Sequence, residues 1–322
     1  VDLNIDAPSA ILMEKDTGKI IYEKASDEQL PPASMTKIMT MLLIMEELDR
    51  GSLTLDEKVR TSEKAASMGG SQIFLEAGEE MTVEELLKAI AIASANDASV
   101  ALAEHIAGTE EEFVKRMNEK VKTLGLENTH FSNSTGLPAK NHYSSARDMA
   151  MMAKELLKHE EITNYTSLYE DYLRENTDKK FWLVNTNRLV KFYEGVDGLK
   201  TGYTSEAKFC LTATAKKNNM RMISVVMGAE NTKQRNQDIT KMFDYAFSQY
   251  EIKNMYDRGD TVDEIDISKG SKKKLKVITD DIVSILYEKG EKLDNVTENI
   301  EVDKAVKAPI KKGESIGILQ LI

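Results

Sequence analysis

The sequence contains little cysteine and little histidine, and each scarcity excludes a class of site. With one cysteine, Cys210, the chain cannot form an intrachain disulfide. The apolar residues on either side of Cys210 predict a thiol packed in the core rather than a reactive one. The histidines are scattered without the spacing of metal ligands, so we predict no metal and no cofactor. They are His105, His130, His142 and His159.

Net positive charge and long apolar stretches are also missing. The formal net charge is −11 and the sequence pI is about 5.1, which argues against a nucleic-acid partner. No stretch is long and apolar enough to span a bilayer. No signal peptide is visible, and the chain begins at Val1 without a methionine. We therefore expect a mature or trimmed form, so the missing signal says little about export.

The length of 322 residues is enough for a substantial core and for two domains. The sequence changes character near residue 250, which predicts a first domain over residues 1–250 and a β-rich second domain over residues 251–322. In the second domain, short alternating stretches between glycines and charged turns predict a small sandwich or barrel. These stretches are 264–267, 275–278, 282–287, 300–302 and 316–321.

In the first domain, one sheet is expected to combine strands from the two ends of the domain's sequence, with helices in the stretch between them. This arrangement predicts the α+β class. Residues 9–24 predict a hairpin around Asp16-Thr17-Gly18. Residues 82–85 have the pattern of a capping box, and residues 195–202 predict a turn-rich segment. A helix is expected from residue 82 until it runs out near 94–97, and another from there to about 107. Further helices are expected over 109–124, 145–159 and 231–250, and strands over 209–215 and 222–227.

Ser34 and Lys37 precede a dense apolar run and follow two prolines, which favour a helix start. The run from Ile38 to Met45 has no polar face, which is typical of a helix buried on all sides. A serine and a lysine three positions apart share a helix face. The lysine can accept the serine proton if burial or a nearby cation keeps its amine neutral. The spacing therefore predicts an activated nucleophile.

Two further motifs are ambiguous alone, and Ser-x-x-Lys itself recurs at 205–208 and 271–274. Ser94-Ala95-Asn96 fits a helix end followed by an N-cap. It equally fits a hydroxyl that relays protons beside an amide that binds a substrate. Lys200-Thr201-Gly202 fits a turn, or a lysine and a threonine that bind an anionic substrate end, with a glycine that admits the substrate backbone.

The three motifs follow one another in an order typical of β-lactamases and penicillin-binding proteins. From about residue 9 to 320 the chain closely resembles the D-alanyl-D-alanine carboxypeptidases, the low-molecular-mass penicillin-binding proteins. The resemblance extends over 31–37, 94–98, 143–150 and 197–204. It implies the penicillin-binding and β-lactamase-like transpeptidase fold, an α/β (α+β) fold with an antiparallel sheet and a helical region. It also implies a small all-β C-terminal domain.

The resemblance implies a serine peptidase that removes the terminal D-alanine from the peptidoglycan stem pentapeptide without a cofactor. Ser34 would form the acyl-enzyme, Lys37 would be the general base, and Ser94 would carry the proton to the leaving amine. Asn96 would hold the substrate amide, and β-lactam antibiotics should acylate the same serine. The implied catalytic residues are Ser34, Lys37 and Ser94; the implied substrate-binding residues are Asn96, Lys200, Thr201, Gly202, Tyr203 and Arg235.

Several implied features remain open at the level of sequence. The backbone N–H groups of Ser34 and Tyr203 would form the oxyanion hole, although some members have histidine where this chain has Tyr203. Arg235 fits either a residue near the substrate carboxylate or an ordinary charge on a helix surface. Members of the family usually end in an amphipathic membrane anchor, whereas this chain stops in a strand-like segment at residues 317–322. We expect an extracytoplasmic enzyme whose only membrane contact is an anchor outside this chain.

Two alternative functions compete with the carboxypeptidase. A class A-like β-lactamase has similar motif spacing, but it uses a glutamate-bearing loop, and no Glu-x-x-Leu-Asn occurs in residues 125–180. A β-rich domain after residue 250 is also unexpected in such an enzyme. The other alternative is a catalytically silent cell-wall binding or scaffolding protein, against which the three intact motifs argue.

Overall fold

The structure, a computed structural model, describes residues 1–267, 274–303 and 310–322. The chain divides into two compact units, Val1–Ala246 and Phe247–Ile322. The domain limits at residue 250 that we expect from the sequence stay a prediction. Ser271, from the third Ser-x-x-Lys pair, lies outside the described residues.

Alternating and β-branched segments form strands near both ends of the first unit and throughout the second. In chain order the strands are β1 (Ser9–Glu14), β2 (Ile20–Lys24), β3 (Lys58–Arg60), β4 (Glu80–Thr82), β5 (Glu170–Leu173), β6 (Phe181–Val184), β7 (Val196–Thr204), β8 (Lys208–Lys217), β9 (Met220–Ala229), β10 (Tyr250–Tyr256), β11 (Thr261–Asp266), β12 (Lys274–Ile278), β13 (Val283–Glu288), β14 (Glu298–Val302) and β15 (Gly317–Leu321).

Helices fill the middle of the first unit and close it. They are α1 (Lys37–Arg50), α2 (Glu63–Ala66), α3 (Val83–Ala93), α4 (Asn96–Ala107), α5 (Glu110–Thr123), α6 (Ala146–Leu156), α7 (Thr163–Thr166), α8 (Leu189–Phe192) and α9 (Thr232–Gln249), with 3-10 turns at Ala33–Thr36 and Glu160–Ile162. The capping box before α3 is confirmed, because Thr82 Oγ1 accepts from Glu85 N and the Glu85 carboxylate accepts in return from Thr82 N.

The first unit is built on one antiparallel sheet with strand order β2-β1-β9-β8-β7. The hairpin expected over residues 9–24 is confirmed as β1 paired with β2. Strand β1 is buried along its whole length. Ile11 and Met13 point to the main hydrophobic core, while Ala10 and Leu12 are buried outside it. The sheet is therefore covered on both faces.

Helix α1 runs through the centre of the main core. Its first nine residues, from Lys37 to Met45, are all buried, which confirms the expectation from the apolar run. Neighbouring helices α4, α5 and α6 pack against it. Because α1 is packed on all sides, it is a rigid support for the side chains at its N-terminal end.

Residues 196–202 lie in strand β7, so our expectation of a turn-rich segment over 195–202 is wrong for all but Gly195. Gly198 and Gly202 serve close backbone approach rather than chain reversal. A Cβ on Gly202 would lie 2.7 Å from Pro32 O and 3.1 Å from Ser34 N. A Cβ on Gly198 would lie 2.9 Å from Thr166 Oγ1. Strand β7 thus runs directly beside the turn that carries Ser34.

The second unit begins with the last turn of α9, and from Tyr250 onward its described secondary structure is all-β, as expected from the alternating stretches. It contains three antiparallel two-stranded ladders, which pair β10 with β13, β11 with β12, and β14 with β15. The ladders are mostly half-buried or exposed along their length, and Leu286 in β13 is buried.

Candidate active site

Ser34 lies in the 3-10 turn Ala33–Thr36, and α1 begins at Lys37. We expected both residues within the first turn of an α-helix. The tighter 3-10 geometry has three residues per turn, so side chains three positions apart eclipse each other. This places Lys37 Nζ 3.1 Å from Ser34 Oγ. Ser34 is partly exposed, whereas Lys37 is fully buried.

The ammonium nitrogen of Lys37 has three oxygen partners. Besides Ser34 Oγ, it lies 3.0 Å from Ser94 Oγ and 2.7 Å from Asn96 Oδ1. An ammonium has three protons to donate, so these partners satisfy it completely. The structure therefore brings together residues that are about 60 positions apart in sequence.

Burial lowers the pKa of Lys37 well below its ordinary value. The nearby charge of Lys200 lowers it further, and the carboxylate of Asp97 opposes both effects. A lysine in this environment spends more time as a neutral amine, which is the form that can accept a proton from a serine.

Ser94 and Asn96 lie where α3 ends and α4 begins. Ser94 caps α3 in a left-handed conformation with φ 60°, and Asn96 is the first residue of α4. The Asn96 amide nitrogen donates to Gly69 O at 2.8 Å, which turns its oxygen toward Lys37. The motif therefore marks a helix end as expected, but the N-cap of α4 is Ala95 without a side-chain capping bond, and the site interpretation stays a prediction.

Asp97 is a residue of the site that sequence reasoning missed. It is fully buried, and its carboxylate accepts from Ile73 N at 3.1 Å and from Leu75 N at 3.0 Å. These bonds fix the segment that also contributes Gly69 O to Asn96. The available signal was an acidic residue in the first turn of a helix, a common feature that does not by itself indicate a site.

Lys200 and Thr201 lie in the edge strand β7 of the sheet. Lys200 is buried, and burial together with the nearby charge of Arg235 lowers its pKa to about 7. Its ammonium donates to Thr201 O at 3.0 Å. The Thr201 hydroxyl donates to Thr186 Oγ1 at 2.7 Å. Thr186 is a second residue that the sequence did not reveal.

Arg235 is buried in α9, with 4% of its surface exposed. The interpretation of Arg235 as a surface helix charge is therefore wrong. Burial lowers its pKa to about 10, and its charge acts on Lys200. Two buried cations this close create a strongly positive environment that favours an anion.

Gly202 and Tyr203 complete the set on β7. The backbone at Gly202 touches the Ser34 turn, as described above. The side chain of Tyr203 is 56% exposed, and its ring centroid lies 4.4 Å from that of Phe209. The ring of Tyr203 therefore packs on the surface beside Phe209, and the proposed role of its backbone N–H stays a prediction.

The described part of the chain contains neither a cluster of metal ligands nor a helix able to cross a membrane. Within residues 1–267, 274–303 and 310–322, no group of three or more His, Cys, Asp or Glu is arranged to hold a metal ion. Over the same ranges, none of the helices combines the length and the apolar character needed to cross a bilayer.

Comparison with known proteins identifies the family. Residues 1–231 match the D-alanyl-D-alanine carboxypeptidase family, Peptidase S11. The chain belongs to this family. Residues 250–322 match the C-terminal domain of penicillin-binding protein 5. The chain is 63% identical over 320 residues to the D-alanyl-D-alanine carboxypeptidase DacF of Bacillus subtilis, covering 99% of this chain and 82% of that protein.

Solved structures of the family support the fold. Penicillin-binding protein 5 of Haemophilus influenzae superposes with a TM-score of 0.81 at 32% identity, over 100% of this chain and 94% of that one. Penicillin-binding protein D2 of Listeria monocytogenes, in its cefotaxime-bound form, gives 0.69 at 31% identity, over 77% of this chain and 99% of that one. The carboxypeptidase interpretation and the expected fold class are confirmed, and these relatives do not support the two alternatives.

Proposed function

We propose that this D-alanyl-D-alanine carboxypeptidase uses Ser34 as its nucleophile and Lys37 as the base that activates it. The observation that carries the proposal is the contact of one buried lysine nitrogen with Ser34 Oγ, Ser94 Oγ and Asn96 Oδ1. Its lowered pKa favours the neutral amine that the reaction requires.

The reaction proceeds in two halves. Neutral Lys37 accepts the proton of Ser34 as Oγ attacks the carbonyl carbon of the penultimate D-alanine. The tetrahedral oxyanion is stabilised by the backbone N–H groups of Ser34 and Tyr203. As the peptide C–N bond breaks, Ser94 passes the proton from Lys37 to the leaving amine of the last D-alanine. Water then attacks the ester and gives its proton to Lys37, which passes it to Ser34 Oγ as the shortened peptide leaves.

The terminal carboxylate of the substrate binds at β7 in this proposal. Lys200 and Arg235 supply positive charge. The Thr201 hydroxyl, which donates to Thr186 Oγ1 in the structure, turns its proton to the carboxylate and accepts from the Thr186 hydroxyl instead. A carboxylate next to Lys200 raises the pKa of its ammonium and so keeps it charged near neutral pH. Asn96 donates to the substrate amide from the opposite side of the cleft.

We further propose that β-lactam antibiotics acylate Ser34, because their strained amide and carboxylate present the same groups as the dipeptide. The relative from Listeria monocytogenes is described in a cefotaxime-bound form. The substrate is the peptidoglycan stem peptide, so the enzyme works on the outer side of the cytoplasmic membrane.

The direct test is release of D-alanine from diacetyl-L-Lys-D-Ala-D-Ala by the purified chain. Intact-mass measurement after incubation with benzylpenicillin should show one added adduct, and peptide mapping should place it on Ser34. Ser34→Ala should abolish both D-alanine release and the adduct. Lys37→Met should strongly reduce both while leaving the fold intact.

Other outcomes distinguish the alternatives. An adduct that persists in Ser34→Ala identifies another nucleophile and refutes the proposal. Rapid turnover of benzylpenicillin by wild type favours the β-lactamase. A folded wild-type protein that neither releases D-alanine nor forms an adduct favours a scaffolding role.

A further inference from the structure

His142 contacts the turn that carries Ser34, although the sequence places it more than 100 residues away. The ring is 9% exposed and lies 2.7 Å through Nε2 from the hydroxyl of Thr36. Thr36 is fully buried, belongs to the 3-10 turn of Ser34, and directly precedes Lys37. One ring therefore touches the short stretch between the proposed nucleophile and the proposed base.

The other ring nitrogen determines which way the hydrogen bonds run. The backbone N–H of Ser132 donates to His142 Nδ1 at 3.0 Å, so Nδ1 carries no proton. A neutral imidazole must then carry its proton on Nε2. The bond to Thr36 is therefore a donation from His142 Nε2–H to Thr36 Oγ1. The environment agrees, because burial lowers the pKa of His142 to about 4 and a nearby charge on His130 lowers it as well.

Thr36 stands at the start of α1, where a threonine hydroxyl commonly accepts a hydrogen bond from a backbone N–H of the first helical turn. Thr36 is the N-cap residue of α1, yet its side chain makes no capping bond to the helix. Its oxygen accepts from His142 instead. The orientation of the turn is therefore set by a segment outside α1, at the point where the chain passes from the 3-10 turn into the helix.

Residues 132–142, the segment that contains His142, contact the Ser34 turn and the start of α1 at two further points. The hydroxyl of Thr40, one turn into α1, donates to Ser134 O at 2.7 Å. Gly136 packs against the turn so closely that a Cβ there would lie 1.9 Å from Ala33 O. Residues 132–142 thus hold the start of α1 from one side, and His142 is their side-chain contact to Thr36, which directly precedes Lys37.

We propose that His142 is a positioning residue for the proposed reaction, because its Nε2–H bond to Thr36 sets the orientation of Ser34 relative to Lys37. The inference rests on the proposed role of Ser34. Loss of the bond lets the turn rotate, and a misplacement of about 1 Å at the reacting atoms can cost about 100-fold in rate. His142→Leu should lower the second-order rate constant of acylation by benzylpenicillin about 10- to 100-fold. Substrate affinity should change little.

A conservative variant of His142 and a double variant with Thr36 distinguish positioning of Ser34 from a general loss of packing. His142→Gln offers one donor and one acceptor, like the neutral imidazole, so it should restore most of the acylation rate. Thr36→Val removes the acceptor. The double variant Thr36→Val with His142→Leu should be no slower than the slower single variant, because the two side chains act as one unit.

Asn118→Ala is the matched control. Asn118 holds the backbone of the neighbouring Phe131, accepting from its N–H at 2.9 Å and donating to its carbonyl at 2.8 Å. Both bonds lie just before the segment 132–142 and outside the Ser34 turn. Asn118→Ala should therefore lower the melting temperature and leave the acylation rate near that of wild type.

A nitrogen-15 NMR spectrum of the histidine rings gives a readout that needs no activity. His142 should show a protonated Nε2 and an unprotonated Nδ1 at neutral pH, in wild type and in Ser34→Ala. An Nδ1–H tautomer, wild-type acylation by His142→Leu, or equal slowing by Asn118→Ala would each overturn the inference. Failure of wild type to form an adduct would count against the proposed function, while the tautomer would still test the bond.

Discussion

The substitution Gly202→Ala tests the close approach between β7 and the Ser34 turn. The new Cβ would lie 2.7 Å from Pro32 O, whereas ordinary contact begins at 3.4 Å, a deficit of about 0.7 Å. It would also lie 3.1 Å from the backbone nitrogens of Ser34 and Met35. All three neighbours are backbone atoms, so no side-chain rotation can relieve the overlap.

The strand or the turn must therefore move by several tenths of an ångström. Overpacking of this kind costs about 1–3 kcal/mol of stability, which corresponds to a decrease in melting temperature of several degrees at about 2–4 °C per kcal/mol. The shift also separates the two backbone N–H groups proposed for the oxyanion hole. If a displacement of about 1 Å costs about 100-fold, acylation should slow by about 10- to 100-fold.

The assay is stopped-flow acylation by a fluorescent penicillin, with the melting temperature measured on the same samples. Gly69→Ala is the matched control, because Gly69 lies in the segment that holds Asn96, yet a Cβ there would meet nothing within 4 Å. The control should keep both rate and stability. If Gly202→Ala matches wild type in both, the close approach of β7 to the turn is wrong.

Three further predictions concern charge and hydrogen bonding in the site. Lys200→Met removes a charge that lowers the pKa of Lys37, so the acid limb of the acylation rate, which rises as Lys37 loses its proton, should move to higher pH. The same variant should be more stable than wild type at pH 6, with the gain fading between pH 7 and 10.5, because only the unfolded lysine is charged in that window. Asp97→Asn removes the carboxylate that raises the pKa of Lys37 and should move the acid limb to lower pH. Thr186→Val removes the hydroxyl that holds Thr201 and that would donate to it once the Thr201 proton turns to the carboxylate, so KM for the peptide should rise several-fold while kcat changes less.

A control variant and two contradicting outcomes test these predictions. Lys216→Met removes an exposed lysine from β8 and should leave the pH profile and the stability unchanged. Shifts of the acid limb in the same direction for Lys200→Met and Asp97→Asn would contradict the account of the Lys37 pKa. A fall in kcat with constant KM for Thr186→Val would argue against a role in carboxylate binding.

Features that depend only on residues close together in the sequence could be predicted from the sequence. The Ser34–Lys37 spacing, the apolar run of α1 and the capping box of α3 each lie within a short stretch, and the structure contains all three as contacts or buried faces. The hairpin of β1 and β2 is equally local. In these cases the periodicity of the backbone converts spacing into geometry.

Glycine was the main source of error. Residues 195–202 contain three glycines and predict turns, yet residues 196–202 belong to β7. The strand needs glycine at Gly202, where it touches the Ser34 turn, and at Gly198, where it touches Thr166. The sequence shows that a side chain is missing but not what occupies the space. The strand β5 and its pairing with β6 also escaped prediction, since each is only four residues long.

The sequence by itself determined the reactive groups of this protein, their order and the short-range pairing of Ser34 with Lys37. Only the tertiary structure decided that Lys37 meets Ser94, that Arg235 is buried beside Lys200, and that His142 reaches Thr36. The physical reason is that pKa shifts and hydrogen bonds depend on burial and on distances between remote segments, and packing of the whole chain sets both.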